Sequence, residues 1–352
     1  MQKLRVGIVG TGMAFEKLHL PAYRKLQDRF EITALCDADR FKAERWAGNL
    51  GLAASAVEDD AVALARRPDV DVVDIMVPIE ANYPVTEAVA SVIAGTRKAI
   101  LAEKPLAATP DQLDGARTLA QRFDVPILVA ENYRYSEEMD RIRDLVRQER
   151  VGPAVYFIQN RVSDFPARMW ANHFAGRDWR QHPDFPGGQI LDTALHDLAG
   201  LRHVFGPIHQ VQAFGVPQDD DFSPYAVLQA NLLFTSGLTG HFTFFGAGKE
   251  TQRPLIGLRI FGTHGEIFLE ERWAGTINVA HYDGTSEQIP YEPAKGYTNE
   301  LLNLHKALTG QEAISVPPEL EVGDVATVFA LIRSARERRV VTLDEARVYQ
   351  PA

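Results

Sequence analysis

Cysteine is nearly absent: Cys36 is the only one in 352 residues. No internal disulfide can form, which excludes a disulfide-stapled secreted scaffold. Basic clusters interleaved with aromatics are missing too, and the net charge is -10. That argues against nucleic acid or an anionic membrane as a partner. No apolar stretch approaches the ~20 residues of a membrane-crossing helix. The run after Met1-Gln2-Lys3-Leu4-Arg5 is too short for a secretory leader. Repeats, low-complexity tracts and long like-charge blocks are also lacking. What is present is ordinary: 45% apolar and 24% charged residues. This is the balance of a globular chain long enough for about two domains. The expectation is a cytoplasmic enzyme or regulator.

The stretch that organises the chain is the apolar run Ala99-Ile100-Leu101-Ala102, followed by Glu103-Lys104-Pro105. The run predicts a short buried strand, which Pro105 ends because proline cannot donate to a sheet ladder. Lys104 then sits at the carboxyl end of a strand, the edge where open α/β sheets bind ligands. On position alone it is either a catalytic or ligand-holding cation or a solvated loop end.

Upstream, Val6-Gly7-Ile8-Val9 predicts a strand running into Gly10-Thr11-Gly12-Met13-Ala14-Phe15 and then a helical face of Phe15, Leu18, His19 and Ala22. Strand, glycine turn and helix form the context of a dinucleotide fingerprint. Gly10 permits the turn, and Gly12 lets backbone approach a pyrophosphate at the helix N-terminus. Phe15 stands where the third glycine belongs, leaving Ala14 as the small contact. A plain glycine turn is the competing reading. The strand Glu31–Cys36 ends at Asp37, whose carboxylate suits a ribose 2′-hydroxyl and repels a 2′-phosphate, favouring NAD. Asp37 also fits a helix N-cap before Arg40–Ala47. Arg40 keeps NADP open, since a guanidinium pairs with phosphate. A strand ending at Val77-Pro78, a helix over Val85–Ala94, a helix over Pro110–Phe123 and a strand over Val125–Ala130 continue the alternation. That predicts a doubly wound parallel sheet over residues 1–131.

After Glu131-Asn132-Tyr133-Arg134 the pattern changes. A helix over Glu137–Arg150 precedes strand-like segments at Ala154–Val162, His209–Phe214, Ala226–Phe234, Gly240–Phe245, Leu255–Phe261, Glu266–Leu269 and Thr276–Tyr282, and a closing helix over Leu320–Arg338. Residues 132–352 are therefore expected to be an α+β domain on a mostly antiparallel open sheet, one face packed and one available for association. From Ile190 the chain looks helical, with Asp192 and His196 one turn apart. A carboxylate orienting an imidazole is the architecture of a general base. An idle surface pair and a zinc site are the alternatives, and no third ligand is suggested nearby. His173, His182, His203 and His264 gain no role from spacing. Trp170 and Trp179 suit core or rim as well as a substrate platform.

Gly10-x-Gly12, His19-Leu20-Pro21, Asp37, Val77-Pro78, Glu103-Lys104-Pro105-Leu106, Asn132-x-Arg134, Trp179-Arg180, Gly187-Gly188 and Asp192-x-x-x-His196-Asp197 occur in that order. Together they resemble the glucose–fructose oxidoreductase / inositol dehydrogenase / MocA family over nearly the whole chain. The resemblance implies a Rossmann domain followed by a mostly antiparallel α/β domain. It further implies NAD, or NADP, as cofactor and a homodimer or homotetramer. By resemblance, Lys104 bridges the nicotinamide end and the reacting hydroxyl, His196 accepts the proton and Asp192 orients it. The implied cofactor contacts are Gly10, Gly12, Met13, Ala14, Asp37, Arg40, Val77, Pro78, Asn82, Glu103, Lys104, Asn132, Trp179 and Arg180. Asn82 stands where many members carry histidine. By resemblance, specificity lies in second-domain loops, Arg161–Arg177 and the segment near Tyr297. There Asp164, Arg168, His173 and Tyr297 join Lys104, Asp192 and His196 as candidate substrate contacts, with solvated loop residues as the competing reading for the first four, and no metal is implied. The expected activity is hydride transfer between a nicotinamide and a secondary hydroxyl of a sugar, cyclitol or sugar derivative. Glycoside cleavage by transient oxidation and a silent dinucleotide-sensing regulator are the alternatives.

Overall fold

The computed structural model describes residues 3–169, 174–246 and 257–343. The chain divides into two units, Met1–Asn132 with Tyr297–Val322, and Tyr133–Gly296 with Gly323–Ala352. Among the described residues no helix is long and apolar enough to cross a membrane.

The first unit is built on a six-stranded parallel sheet, with strands β1 (Leu4–Val9), β2 (Phe30–Cys36), β3 (Val57–Glu58), β4 (Val72–Ile75), β5 (Ala99–Glu103) and β6 (Ile127–Ala130). The order is β3-β2-β1-β4-β5-β6, the doubly wound arrangement whose order reverses beside β1. Strands β4, β5 and β6 are buried throughout, because helices cover both faces of a parallel sheet. The helix before β5 begins at Ile79 rather than Val85 and carries Pro84 within it. Pro84 lies near the start, so its missing N–H removes only the bond to the Glu80 carbonyl. The expected helix over Pro110–Phe123 is broken into a short 3₁₀ turn and two short helices, Leu113–Arg117 and Leu119–Phe123.

A continuous second domain from residue 132 does not describe the chain. Residues 297–322 return to the first unit, where the Val129 N–H donates to the Val316 carbonyl at 2.9 Å. The helix Gly296–Leu308 carries them there, and its polar residues Asn299, Glu300, Asn303 and His305 hide its amphipathic period. Tyr297 accordingly lies in a helical turn of the first unit, not in a second-domain loop.

The second unit holds a nine-stranded sheet: β7 (Ala154–Val162), β8 (Ile208–Pro217), β9 (Tyr225–Phe234), β10 (Thr239–Phe245), β11 (Gly257–Gly262), β12 (Gly265–Leu269), β13 (Thr276–His281), β14 (Ser286–Pro290) and β15 (Val341–Thr342). All described pairs are antiparallel except β10 with β7. Alternation sets its faces. Phe157, Leu228, Ala230, Leu232, Phe242 and Phe244 point inward and are buried. Phe205, ending the helix Leu195–Phe205, stacks on Phe157 at 5.0 Å and meets Phe234 edge-on at 5.5 Å. The other face leaves Tyr156, Phe214 and Val216 exposed.

Candidate functional site

The first unit carries a glycine turn and a lysine turn on the carboxyl edge of one sheet. Gly10 has φ +92, and a side chain there would strike the Met76 carbonyl. Only glycine meets both conditions. A Cβ on Gly12 would meet nothing within 4 Å, so the backbone there is open to a ligand's approach. Met13 and Ala14 then open the helix, Met13 buried. At Phe15 that helix widens into a π turn, Phe15–His19. The fully buried Phe15 ring packs edge-on against Trp46 at 5.3 Å. The wider turn makes room for a ring where glycine normally allows close helix–strand packing.

Asp37 closes the turn from β2. One carboxylate oxygen accepts from the Thr11 N–H at 2.7 Å and the Thr11 hydroxyl at 2.8 Å, and the other accepts from the Asp39 N–H at 2.9 Å. The helix Arg40–Leu50 is capped by Asp39, not Asp37: the Asp39 side chain accepts from the Phe41 N–H. Arg40 is committed to two acids, Glu44 at 2.8 Å and Asp59. Its charge is therefore offset locally. Asn132 is buried, and its side-chain amide nitrogen has no protein partner, leaving a donor for a ligand. Open space above Gly12, an acid ending β2 and this spare donor together fit a dinucleotide.

The lysine turn follows β5. Glu103 is buried, and its Oε2 accepts the Lys104 N–H at 3.1 Å. The Lys104–Pro105 bond is cis. Asn82, fully buried in the helix that Pro78 caps after Val77, donates through Nδ2 to the Glu103 carbonyl and, at 2.8 Å, to the Pro105 carbonyl. Both of its amide hydrogens are thus spent on the carbonyls that bracket Lys104. Glu321 accepts from the Leu106 N–H at 3.3 Å.

In the second unit, Asp192 lies in a second π turn, Ile190–Ala194, ahead of the helix that carries His196. Among the described residues π geometry occurs only at these two places, a local form that recurs at functional sites. Asp192 is gripped by Arg180, Nε to Oδ2 at 2.6 Å and Nη2 to Oδ1 at 3.3 Å. The Arg180 guanidinium lies over Trp179 at 4.0 Å. His196 lies flat on Tyr133, ring centroids 4.6 Å apart. Tyr133 accepts from Arg161 at 3.0 Å, and Arg161 pairs with Asp197 at 3.2 Å. Burial pushes the Asp197 carboxyl up, while Arg161 and then His196 pull it back. Sequence reasoning assigned Tyr133 no role and saw Arg161 only as the start of a specificity loop, Arg161–Arg177. Arg161 was hidden in a strand pattern, and only its register on β7 brings it to Asp197. Arg168, in the short helix Phe165–Arg168, joins Tyr133, Arg161, Asp197 and Arg272 around a cavity of about 240 Å³. His173 and Trp170 lie outside the described residues. Tyr297 stands beside His19 in the first unit, ring centroids 6.1 Å apart.

The comparisons agree with this geometry. The family model for the GFO/IDH/MocA oxidoreductase family with an NAD-binding Rossmann fold matches residues 4–131, and that for the family's C-terminal domain matches residues 139–268. A 1,5-anhydro-D-fructose reductase of Ensifer adhaerens is 26% identical, over 94% of this chain and 96% of its own. An oxidoreductase of Thermotoga maritima superposes with a TM-score of 0.84 at 25% identity, over 99% of this chain and 100% of its own. A levoglucosan dehydrogenase, solved with NADH and L-sorbose, superposes with a TM-score of 0.84 at 19% identity over all of both chains. Fold order, glycine turn, lysine turn and both family models lead to one conclusion: this chain belongs to the GFO/IDH/MocA family of NAD-binding oxidoreductases.

Proposed function

We propose that the protein is an NAD(P)-dependent dehydrogenase acting on a secondary hydroxyl of a sugar, cyclitol or sugar derivative, with Lys104, Asp192 and His196 as its catalytic residues. The observation that carries this reading is the bracing of Lys104. Asn82 fixes the carbonyls on either side of it, and Glu103 takes its N–H. A cation presented so firmly at the ligand edge of a doubly wound sheet suits a developing negative charge. Relatives named as a 1,5-anhydro-D-fructose reductase and a D-glucoside 3-dehydrogenase support a carbohydrate-like substrate.

Gly10, Gly12 and the following helix start would hold the pyrophosphate, Asp37 the adenosine ribose, and Asn132 a further polar group. When bound, the nicotinamide supplies the acceptor for the hydride leaving the carbinol carbon. His196 takes the hydroxyl proton, and Tyr133 sets the plane of its ring. Lys104 places positive charge where alkoxide character develops, an effect typically worth about 3 kcal/mol of barrier. Asp192, held by Arg180, fixes the acid side of the set. The exposed Tyr156, Phe214 and Val216 support assembly as a homodimer or homotetramer through the open sheet face.

The test is a panel of cyclitols, aldoses, anhydrosugars and nucleotide sugars, scored for NAD and NADP reduction with wild type, Lys104→Met and His196→Asn. Each variant is expected to lose at least a hundredfold in kcat. Near wild-type turnover in both would refute the assignment.

A further inference from the structure

Beneath the lysine turn lies a buried cluster of ionisable groups that the proposed chemistry does not use. His19, in the first π turn, is fully buried. Its Nδ1 is 2.9 Å from Asp74 Oδ2 on β4, and its Nε2 is 2.9 Å from Glu103 Oε1 on β5. Carboxylates only accept, so two such contacts need a hydrogen on both ring nitrogens. Asp74 Oδ2 also takes the Tyr23 hydroxyl at 2.8 Å. The other oxygen of Glu103 takes the Lys104 N–H. Hydrogen bonds thus run without a break from Asp74 through His19 and Glu103 to the backbone of Lys104.

We propose that His19 is a positioning residue for Lys104: a doubly donating imidazolium that clamps Glu103 from below and so fixes the turn that presents the lysine. The proposal rests on the reading of Lys104 as catalytic. The ring is enclosed by Asp74, Glu103 and Tyr23, and from the helix Gly296–Leu308 by Tyr297 and Glu300. Burial works against a charged ring, but Asp74 and then Glu103 outweigh it and hold His19 well above the ordinary imidazole range. Glu300 is buried with neither carboxyl oxygen hydrogen-bonded. Burial pushes it well up; His19 opposes this, while Glu103, Asp74 and Glu131 add to it. The ring's two hydrogen-bond contacts are therefore Asp74 and Glu103, while Glu300 makes no hydrogen bond to it. Without the imidazolium, Glu103 becomes a buried anion held only at its Lys104 end, and the turn it braces loses one of its two anchors.

The experiment uses the full-length protein. Nitrogen-15 NMR of labelled histidine reports the protonation of His19 in wild type between pH 6 and 9. Hydrogen exchange read by mass spectrometry over residues 101–107, NADH binding by fluorescence, and kcat and KM on any substrate from the panel are compared for wild type, His19→Asn and His19→Gln. The expected results are a doubly protonated ring at pH 8 and at least tenfold faster exchange at Lys104 in both variants. NADH affinity and KM should stay within threefold, with kcat down at least tenfold. A singly protonated ring at pH 7, or unchanged exchange at Lys104 in a folded variant, overturns the proposal. Should neither variant fold, the ring's protonation in wild type still decides. Lys104→Met separates the two claims. If it retains turnover while the His19 variants loosen the turn, the clamp stands and the catalytic reading of Lys104 falls.

Discussion

Asn82 offers the sharpest energetic test of how the lysine turn is held. Substitution by alanine removes two donors at once, the one to the Glu103 carbonyl and the one to the Pro105 carbonyl. Both bonds are buried. A buried acceptor stripped of its partner costs about 1–3 kcal/mol. Water entering the small space left by the side chain recovers part of that. The expected loss is therefore about 2–4 kcal/mol, read from urea denaturation followed by circular dichroism and linear extrapolation at pH 7. The kinetic consequence follows from the same geometry. Lys104 lies between the two released carbonyls, and displacement of a positioned group by about 1 Å costs roughly a hundredfold in rate. Turnover in Asn82→Ala should fall between tenfold and a hundredfold, while NADH affinity moves little because Asn82 spends its donors on the backbone. A variant within about 0.5 kcal/mol of wild type and with unchanged kcat would falsify the argument. So would a selective loss of NADH binding with kcat intact, which would return Asn82 to the cofactor contacts.

Cofactor choice is open to a charge test: Asp37→Asn keeps an acceptor for Thr11 but removes the negative charge, and the ratio of kcat/KM for NADP over NAD should rise about tenfold, worth about 1.4 kcal/mol. An unmoved ratio would mean that Asp37 serves only to tie the glycine turn. In the second unit, Asp324 is fully buried between Arg134, at 2.8 Å from Nε, and Arg202. Asp324→Asn strands two buried guanidinium groups and should cost about 3–5 kcal/mol in urea unfolding; a loss below about 1 kcal/mol would show that the triad relaxes to solvent.

Most of the parallel sheet was legible because five of its strands are short apolar runs, and glycine or proline closes β1, β4 and β5; the two-residue β3 leaves no run to read. The glycine and lysine turns were legible for the same reason, being tied to strand ends. The helix Gly296–Leu308 was not, since its inner face mixes Leu301 and Leu304 with Glu300, Asn303 and His305. The last three are buried and polar, so a hydrophobic count sees only part of the buried stripe. Asp39 took the capping role expected of Asp37 because Asp37 is drawn back to Thr11, a contact 26 residues away in sequence. The Asp192–His196 spacing was visible, but the Arg180 grip on Asp192 and the Tyr133 face under His196 depend on register and on a π turn. Neither leaves a periodic trace. The two carbonyls that Asn82 serves lie 21 and 23 residues away in sequence, and no local pattern announces them.

The return of residues 297–322 bears on how this protein can be taken apart. Cutting the gene after residue 131 would yield a nucleotide-binding half stripped of Glu300 and of the strand-edge cover at Val316. Such a fragment exposes the polar underside of its own lysine turn and the flank of β6, an invitation to aggregate. A portable version must splice the 297–322 stretch back on, through a short linker or by moving the chain ends. Engineers who exchange halves between related enzymes will have three joints to match rather than one.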